Sequence, residues 1–228
     1  MKNIMYLMLL FSFSSVFSQV PDNLNKDLRS RIFIPQNNNF EGKDYLFKEW
    51  NNGMLVLNDT VFSNQKYLKY DAFRDRVLIK KSNQIIEITD RSLTGFSILA
   101  VNSNFKHDFV KLNSTDFIGG SKDGFYEVVY NEQKTNYFIK KESKVIYDPN
   151  RSKGSQTINN YPLKYDSKTD FFIKNDAGLY VKVRLNKKDI NTLLSKNSKR
   201  IKQFIKDEKI NYRKEEDVLK LVNYYYSL

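Results

Sequence analysis

The sequence predicts a mainly β protein: an antiparallel sandwich or a curved half-barrel sheet, with two to three short C-terminal helices. Three observations point there. Between residues 31 and 184 short apolar runs alternate with Gly, Asn, Asp and Ser at the spacing of strands and turns. The chain is rich in aromatic residues, 17 Phe and 15 Tyr, which suit a pleated, half-buried surface. After Leu185 the apolar period changes from two to about three and a half, the period of a helix.

The elements follow in order. Residues 45–50 and 54–57 flank Asn51-Asn52-Gly53, and Asn-Gly tolerates the positive φ of a tight turn, so the two runs are expected to pair as a hairpin. Further strands are expected at 67–70, 76–80, 84–89, 95–99, 108–112, 125–130, 137–140, 171–174 and 179–183. Within 84–89, Ile86 and Ile88 share one face while Glu87 and Thr89 share the other, the pattern of a half-buried strand. Leu68-Lys69-Tyr70-Asp71, with Asp75 and Ile79-Lys80, recurs as Leu163-Lys164-Tyr165-Asp166, with Asp170 and Ile173-Lys174. Each copy reads as strand, turn, strand with Asp at the turn, and shared hairpin chemistry explains the echo without a second domain. Two polar stretches, 113–123 with Gly119-Gly120 and 147–160 with Pro149 and Gly154, read as long loops.

Beyond Leu185, Asn186 can cap a helix running through Leu194, with Asp189 in the position of a capping-box acid. A second helix is expected over 197–208, where Ile201, Phe204 and Ile205 form a stripe and Lys199, Arg200, Lys202 and Lys206 lie mostly outside it. A third opens on Lys214-Glu215-Glu216-Asp217, acids well placed at a helix N-terminus, and turns Val218, Leu221, Val222 and Tyr225 onto one face. These stripes must bury against something. Packing on the β-domain is the simplest solution; docking on a partner is the alternative, with Lys199, Lys202, Phe204, Lys206, Val222 and Tyr225 as its candidate surface.

Three segments result: a signal peptide at 1–18, a β-domain at 19–185 and a helical tail at 186–228 packed on it. Lys2, the almost uncharged run 4–17 and the exit Val16-Phe17-Ser18 before Gln19 read as a cleavable secretory signal. Its apolar core is shorter than the roughly 20 residues of a membrane span. With no second long apolar run, no transmembrane span is expected after its removal. The expected location is periplasmic or secreted, with peripheral attachment to the outer membrane as an option. The chain has no cysteine, which excludes disulfides, thiolate metal sites, a cysteine nucleophile and a lipid-modified cysteine. The formal charge is +12, from 38 Lys and Arg against 26 Asp and Glu. Lysines stand beside acids and amides throughout, as in Lys106-His107-Asp108 and Lys122-Asp123, so the charge reads first as a solvated basic surface. Such a surface favours contact with anionic lipid or glycan.

Catalytic signatures are missing. The one histidine, His107, precludes a two-histidine metal site, and its neighbour Asp108 points to the opposite face of a strand. No Gly-x-Ser-x-Gly turn, Walker loop, dinucleotide glycine pattern or helix-loop-helix calcium loop occurs. No catalytic, cofactor-binding or metal-binding residue is therefore assigned, and no cofactor is expected. Carboxylate chemistry needs only two or three acids in one cleft. Asp71, Asp75, Glu87 and Asp90 sit around consecutive hairpins and are the acids to follow, although Asp71 and Asp75 also suit turns. The interleaved run Tyr137-Phe138-Ile139-Lys140-Lys141 can stack on single strands or sugars. A secretory signal argues against nucleic acid. Trp50, the only tryptophan, suits a core anchor or a sugar platform.

The stretches Tyr45-Leu46-Phe47-Lys48-Glu49-Trp50, Gly53-Met54-Leu55-Val56-Leu57-Asn58-Asp59, Tyr67-Leu68-Lys69-Tyr70-Asp71 and Asp75-Arg76-Val77-Leu78-Ile79-Lys80 resemble a set of uncharacterised secreted proteins of Bacteroidota. The end of the chain is similar to theirs too: Ile201-Lys202-Gln203-Phe204-Ile205-Lys206, Ile210-Asn211-Tyr212, Glu215-Glu216-Asp217-Val218-Leu219 and Tyr224-Tyr225-Tyr226-Ser227-Leu228. The resemblance implies a β-domain with a helical end and a secreted or envelope location in a Gram-negative cell. It implies no catalytic residue. The functional expectation is a non-enzymatic envelope protein that binds an envelope protein or another macromolecule. The alternative is a carboxylate-based hydrolase or glycan-binding module acting on envelope polymers, and a third reading is peripheral binding to anionic lipid through the tail.

Overall fold

The structure, a computed structural model, describes residues 28–35, 39–101, 105–129, 136–150, 161–196 and 198–228. The signal segment lies outside them. The described residues form one open sheet of 12 strands: β1 Ser30–Ile32, β2 Asn51–Leu57, β3 Thr60–Asp71, β4 Arg76–Lys81, β5 Gln84–Ile88, β6 Leu93–Leu99, β7 Lys106–Leu112, β8 Phe117–Ile118, β9 Gly124–Val128, β10 Phe138–Tyr147, β11 Lys164–Lys174 and β12 Tyr180–Val183. Their order is β1-β5-β4-β3-β2-β6-β7-β9-β10-β11-β12-β8. Every neighbouring pair is antiparallel except β12 and β8. Three helices end the chain: α1 Lys187–Leu193, α2 Ser198–Asp207 and α3 Glu215–Tyr226. The mainly β class with short C-terminal helices is thus observed, as an open sheet rather than a sandwich. Among the described residues no helix is long and apolar enough to cross a membrane.

The first hairpin differs from the expected one. Asn51-Asn52-Gly53 lies inside β2, not in a turn, and residues 45–50 form no strand; the turn falls at Asn58 and Asp59, both in the left-handed region at φ 45° and 62°. Two successive positive φ angles are what a tight β-hairpin requires, and Asn and Asp tolerate them. Gly53 serves a different purpose. A Cβ there would lie 2.4 Å from the Ser97 carbonyl oxygen and 2.5 Å from Leu68 Cδ1, so only glycine lets these strands close up. The echoed motif also splits. Asp71 does end a strand at a turn, whereas Tyr165 and Asp166 lie within the unbroken strand β11. The loop 113–123 contains a 3-10 turn at Ser114–Asp116 and the short strand β8, whose pairing with β12 no local pattern announces. Of the loop 147–160, residues 151–160 lie outside the described residues, as does Tyr130 at the end of an expected strand.

The sheet curls. In the strand order β3 and β9 are separated by four spacings, which would hold them about 19 Å apart if flat. Instead the Tyr70 ring on β3 reaches Phe96 and Phe109 at 5.4 Å and Phe125 on β9 at 6.4 Å. Phe96 and Phe109 stack at 4.4 Å, and these rings with Leu55, Leu68, Val77 and Ile98 fill the first core. Further along the sheet the two faces have separate covers. Phe138 and Ile173, opposite each other in register, share one face with the helices, while Ile139 and Phe172 share the other with Phe117, Tyr126 and Tyr180.

The tail is core on one side. Ile190, Val218, Leu221 and Val222 are fully buried against Phe138, Ile173 and Val183, and Tyr225 joins them. Asn186 caps α1 by accepting from the Asp189 N–H at 2.9 Å. The aromatic seams are tight: Tyr137 stacks on Tyr226 at 3.9 Å and Phe204 on Tyr224 at 4.0 Å. Val222→Asp is therefore expected to lower unfolding free energy by about 3–5 kcal/mol in urea titration, the cost of an unpaired charge in a core. Phe204→Asp is expected to cost less, because its ring is only partly buried. Equal, small effects would show that the tail does not pack as described.

Candidate functional site: a basic cleft beside the β3–β4 turn

The turn between β3 and β4 is built by Asp71. Its buried carboxylate accepts from the N–H groups of Phe73 at 3.1 Å and Arg74 at 2.8 Å, and from the Arg74 guanidinium at 3.2 Å. Arg74 also reaches Asp44 at 2.9 Å. Burial raises the Asp71 carboxyl above its ordinary range, and the bonds from Arg74 oppose that rise.

This turn inserts where β9 and β10 part. The two strands pair only at Ile139 with Val128 and at Lys140 with Glu127; beyond that, the Lys144 N–H donates to the Ala72 carbonyl at 3.0 Å instead. Asp75, in the left-handed region at φ 59°, points at β9. Its carboxylate accepts from the Tyr70 hydroxyl, from the Phe125 N–H at 3.3 Å and from Lys141 Nζ at 2.8 Å. Lys141 Nζ also donates to the Phe125 carbonyl at 2.7 Å and to the Tyr70 hydroxyl at 3.3 Å. Its ammonium thus has three acceptors while the side chain is only 16% exposed. Burial pulls the Lys141 pKa below the usual lysine value, against the pull of Asp75. Gly124 permits the approach, since a Cβ there would stand 1.8 Å from Asp75 Oδ2.

Between this turn, the loop at 120–123 and the hairpin of β10 and β11 lies a cleft of about 510 Å³. Arg74, Lys122, Lys141, Lys144 and Lys168 line it with Asp75, Asp123 and Asp170. Asp170 receives two ammonium groups, Lys168 at 3.0 Å and Lys182 at 2.9 Å. Burial works to raise its pKa, but the two lysines outweigh burial and hold it below the carboxylate range. The Tyr126 hydroxyl donates to the Lys122 carbonyl at 2.7 Å and lies 2.7 Å from Ser121 Oγ. Hydrolysis by a carboxylate pair needs one carboxyl that keeps its proton near neutral pH. Here Asp75 is ion-paired and Asp170 is held ionised, an arrangement suited to ionic recognition.

The four acids singled out by sequence are not brought together. Asp71 is sealed inside its turn, and only Asp75 lines the cleft. Glu87 is clamped on β5 by Arg31 at 2.9 and 3.0 Å and by Arg76 at 3.0 Å, which explains why a residue on the polar face of that strand is buried. Asp90 sits in an exposed turn. On the tail, Val222 and Tyr225 are core and Phe204 is half-buried, while Lys199, Lys202 and Lys206 are exposed. His107 Nδ1 meets Glu127 at 2.8 Å, with the ring between Phe47 and Phe105. Asp108 lies on the other face and receives Lys106 at 2.8 Å. The Lys69 ammonium covers the Trp50 ring at 5.1 Å and the Tyr45 ring at 4.5 Å. Among the described residues no group of three or more His, Asp or Glu could hold a metal ion. Sequence reasoning missed Lys144, Lys168 and Ser121 as cleft residues; the Gly119-Gly120 loop and the Lys140-Lys141 pair were the local signals available. No family model, curated protein or solved structure matches the chain.

Lys141→Met leaves the Asp75 carboxylate and the Phe125 carbonyl each short of a partner, so stability should fall by about 1–3 kcal/mol per unpaired group in urea titration. An unchanged midpoint would show that the ammonium does not tie the turn down. Asp90 accepts from the Ser92 hydroxyl and N–H and from the Arg29 N–H, which together bring its pKa down to about 2. An unfolded Asp titrates near 3.9, so the stabilisation these bonds give is complete above about pH 4 and is lost as the pH falls towards 2. Asp90→Asn should flatten the dependence of the urea midpoint on pH in that window and leave its dependence between pH 5 and 7 unchanged.

Proposed function

We propose that this chain is an exported, non-enzymatic protein of the cell envelope that engages another macromolecule through the cleft beside the β3–β4 turn. The observation that carries the reading is the frame of the cleft. One wall is the β10–β11 hairpin, the turn opposite is pinned by Lys141 and Asp75, and most of the charges are already paired, so much of the concave surface is preformed. Preformed polar clefts on rigid elements bind at low ordering cost. Export is supported by Lys2, the uncharged run 4–17 and the exit at Ser18. The resemblance to secreted proteins of Bacteroidota supports an envelope location, periplasmic or secreted. Val222 and Tyr225 are buried, which supports the cleft over the tail as the surface for this reading. Glycan binding, the alternative, would use this same cleft, whose ionic lining favours recognition over hydrolysis.

The test is affinity purification of C-terminally tagged protein from crosslinked native cells, with soluble and membrane fractions analysed separately by mass spectrometry. Ser143→Trp, which fills the cleft from β10, serves as the comparison. An envelope component crosslinked to residues of the cleft and lost in Ser143→Trp is expected. A free monomer, or a partner captured equally by the variant, would refute the reading.

A further inference from the structure

Resting on the reading of this cleft as a binding surface, we infer that its ligand carries a phosphate group, held by Lys122, Lys144 and the backbone N–H groups of residues 121–122. The cleft lining has more cations than carboxylates, and the pairing shows where the excess lies. Arg74 is spent on Asp71 and Asp44, Lys141 on Asp75, and Lys168 shares Asp170 with Lys182. Lys122 and Lys144 are left without a carboxylate among the described residues; Lys144 Nζ donates only to the Ser167 hydroxyl, at 2.7 Å. The one further acid in the lining, Asp123, accepts the Ser114 N–H at 2.6 Å.

The loop adds neutral donors. The N–H groups of Ser121 and Lys122 have no hydrogen-bond partner among the described residues. Gly119 and Gly120 both sit in the left-handed region, at φ 81° and 71°, and a Cβ on either would meet nothing within 4 Å. These glycines therefore shape the backbone of an open loop; they are not there to admit a packed neighbour. The donors outnumber the two oxygens of a carboxylate, and charge-assisted bonds of this kind suit the several oxygens of a phosphate. The hydroxyl protons nearby are already committed, Ser143 to the Lys168 carbonyl and Tyr126 to the Lys122 carbonyl, so the ammonium and N–H groups carry the recognition. The volume is within the range of small-ligand sites, leaving room for the group that bears the phosphate.

The phosphate can be soluble or part of a lipid headgroup, and the experiment separates the two. The protein is titrated by NMR, at fixed ionic strength, with inorganic phosphate, glycerol 3-phosphate and uncharged glycerol, and in parallel assayed for flotation with phosphatidylglycerol vesicles. Glycerol 3-phosphate is expected to bind, to shift the amides of 119–123, and to bind at least about tenfold more weakly to Lys122→Gln/Lys144→Gln. Lys199→Gln/Lys202→Gln removes the same charge from α2 and should leave that affinity unchanged. Vesicle binding that depends on Lys122 and Lys144, with silent soluble probes, would support the site and name the headgroup as its source. Equal weakening in both double variants, binding of glycerol as tight as that of glycerol 3-phosphate, or no binding in any arm would overturn the inference. A partner crosslinked at the cleft in cells, with all phosphate probes silent, would overturn the phosphate and leave the binding surface standing.

Discussion

A single ammonium group holds the curl of this sheet together. Lys141 Nζ, on β10, binds the Asp75 carboxylate from the β3–β4 turn, the Phe125 carbonyl of β9 and the Tyr70 hydroxyl of β3. It thereby joins strands that are four and five places apart in the sheet order. A buried charge is costly unless its partners are in place, and here two of its three acceptors come from the β3–β4 hairpin and the third from β9. The curl brings Tyr70, Phe96, Phe109 and Phe125 together as a core beside the ion pair, which stays partly open to the cleft. The cleft exists because of the same wedge: β9 and β10 part to admit the turn, and the unpaired half of the β10–β11 hairpin becomes its wall.

A second polar element divides the buried face. Reading across the register, Leu55, Phe96, Phe109, Glu127, Lys140, Phe171 and Val183 form one row from β2 to β12. The apolar residues on one side belong to the curled core and those on the other to the helix-covered core. The charged pair stands at the border, where Glu127 also meets His107 and Lys140 meets Glu215 at 3.0 Å. Burial lowers the Lys140 pKa, but Glu127 and Glu215 more than reverse it, so the ammonium is held charged. Glu215 is in the first turn of α3, where an acid already favours the helix dipole. The apolar stripe supplies most of the burial, and the Lys140–Glu215 ion pair ties the first turn of α3 to β10.

Much of this was legible in the chain. The helical end could be read nearly to the residue, because caps and a 3.6-residue period are local signals, and α1, α2 and α3 begin close to Asn186, Ser198 and Lys214. The strands 76–80 and 84–89 were equally clear, as apolar runs bounded by turn residues, although burial in them does not alternate. The Asn-Gly pair at 52–53 misled, since glycine answers two demands that look alike in sequence: a positive φ in a turn, and the absence of a Cβ between close strands. The long strands β10 and β11 were read short because their outer halves hold no buried residue and carry no apolar alternation.

By itself the sequence determined the class of fold, the number and place of the helices, and which chemistries lack their residues; these depend on neighbours within one turn or one hairpin. The tertiary structure alone decided which charges matter. Asp75 and Lys141 are 66 positions apart, and Asp75 and Gly124 nearly as far, so no local pattern could pair them. The same holds for the four acids of the hairpins: their spacing was visible, but whether they met in one cleft depended on how the sheet curled. It sent Asp71 into a turn, Glu87 under two arginines, Asp90 to the surface and only Asp75 to the cleft. Long-range closure fixes such outcomes, because an ionisable side chain takes its role from the groups that surround it after burial.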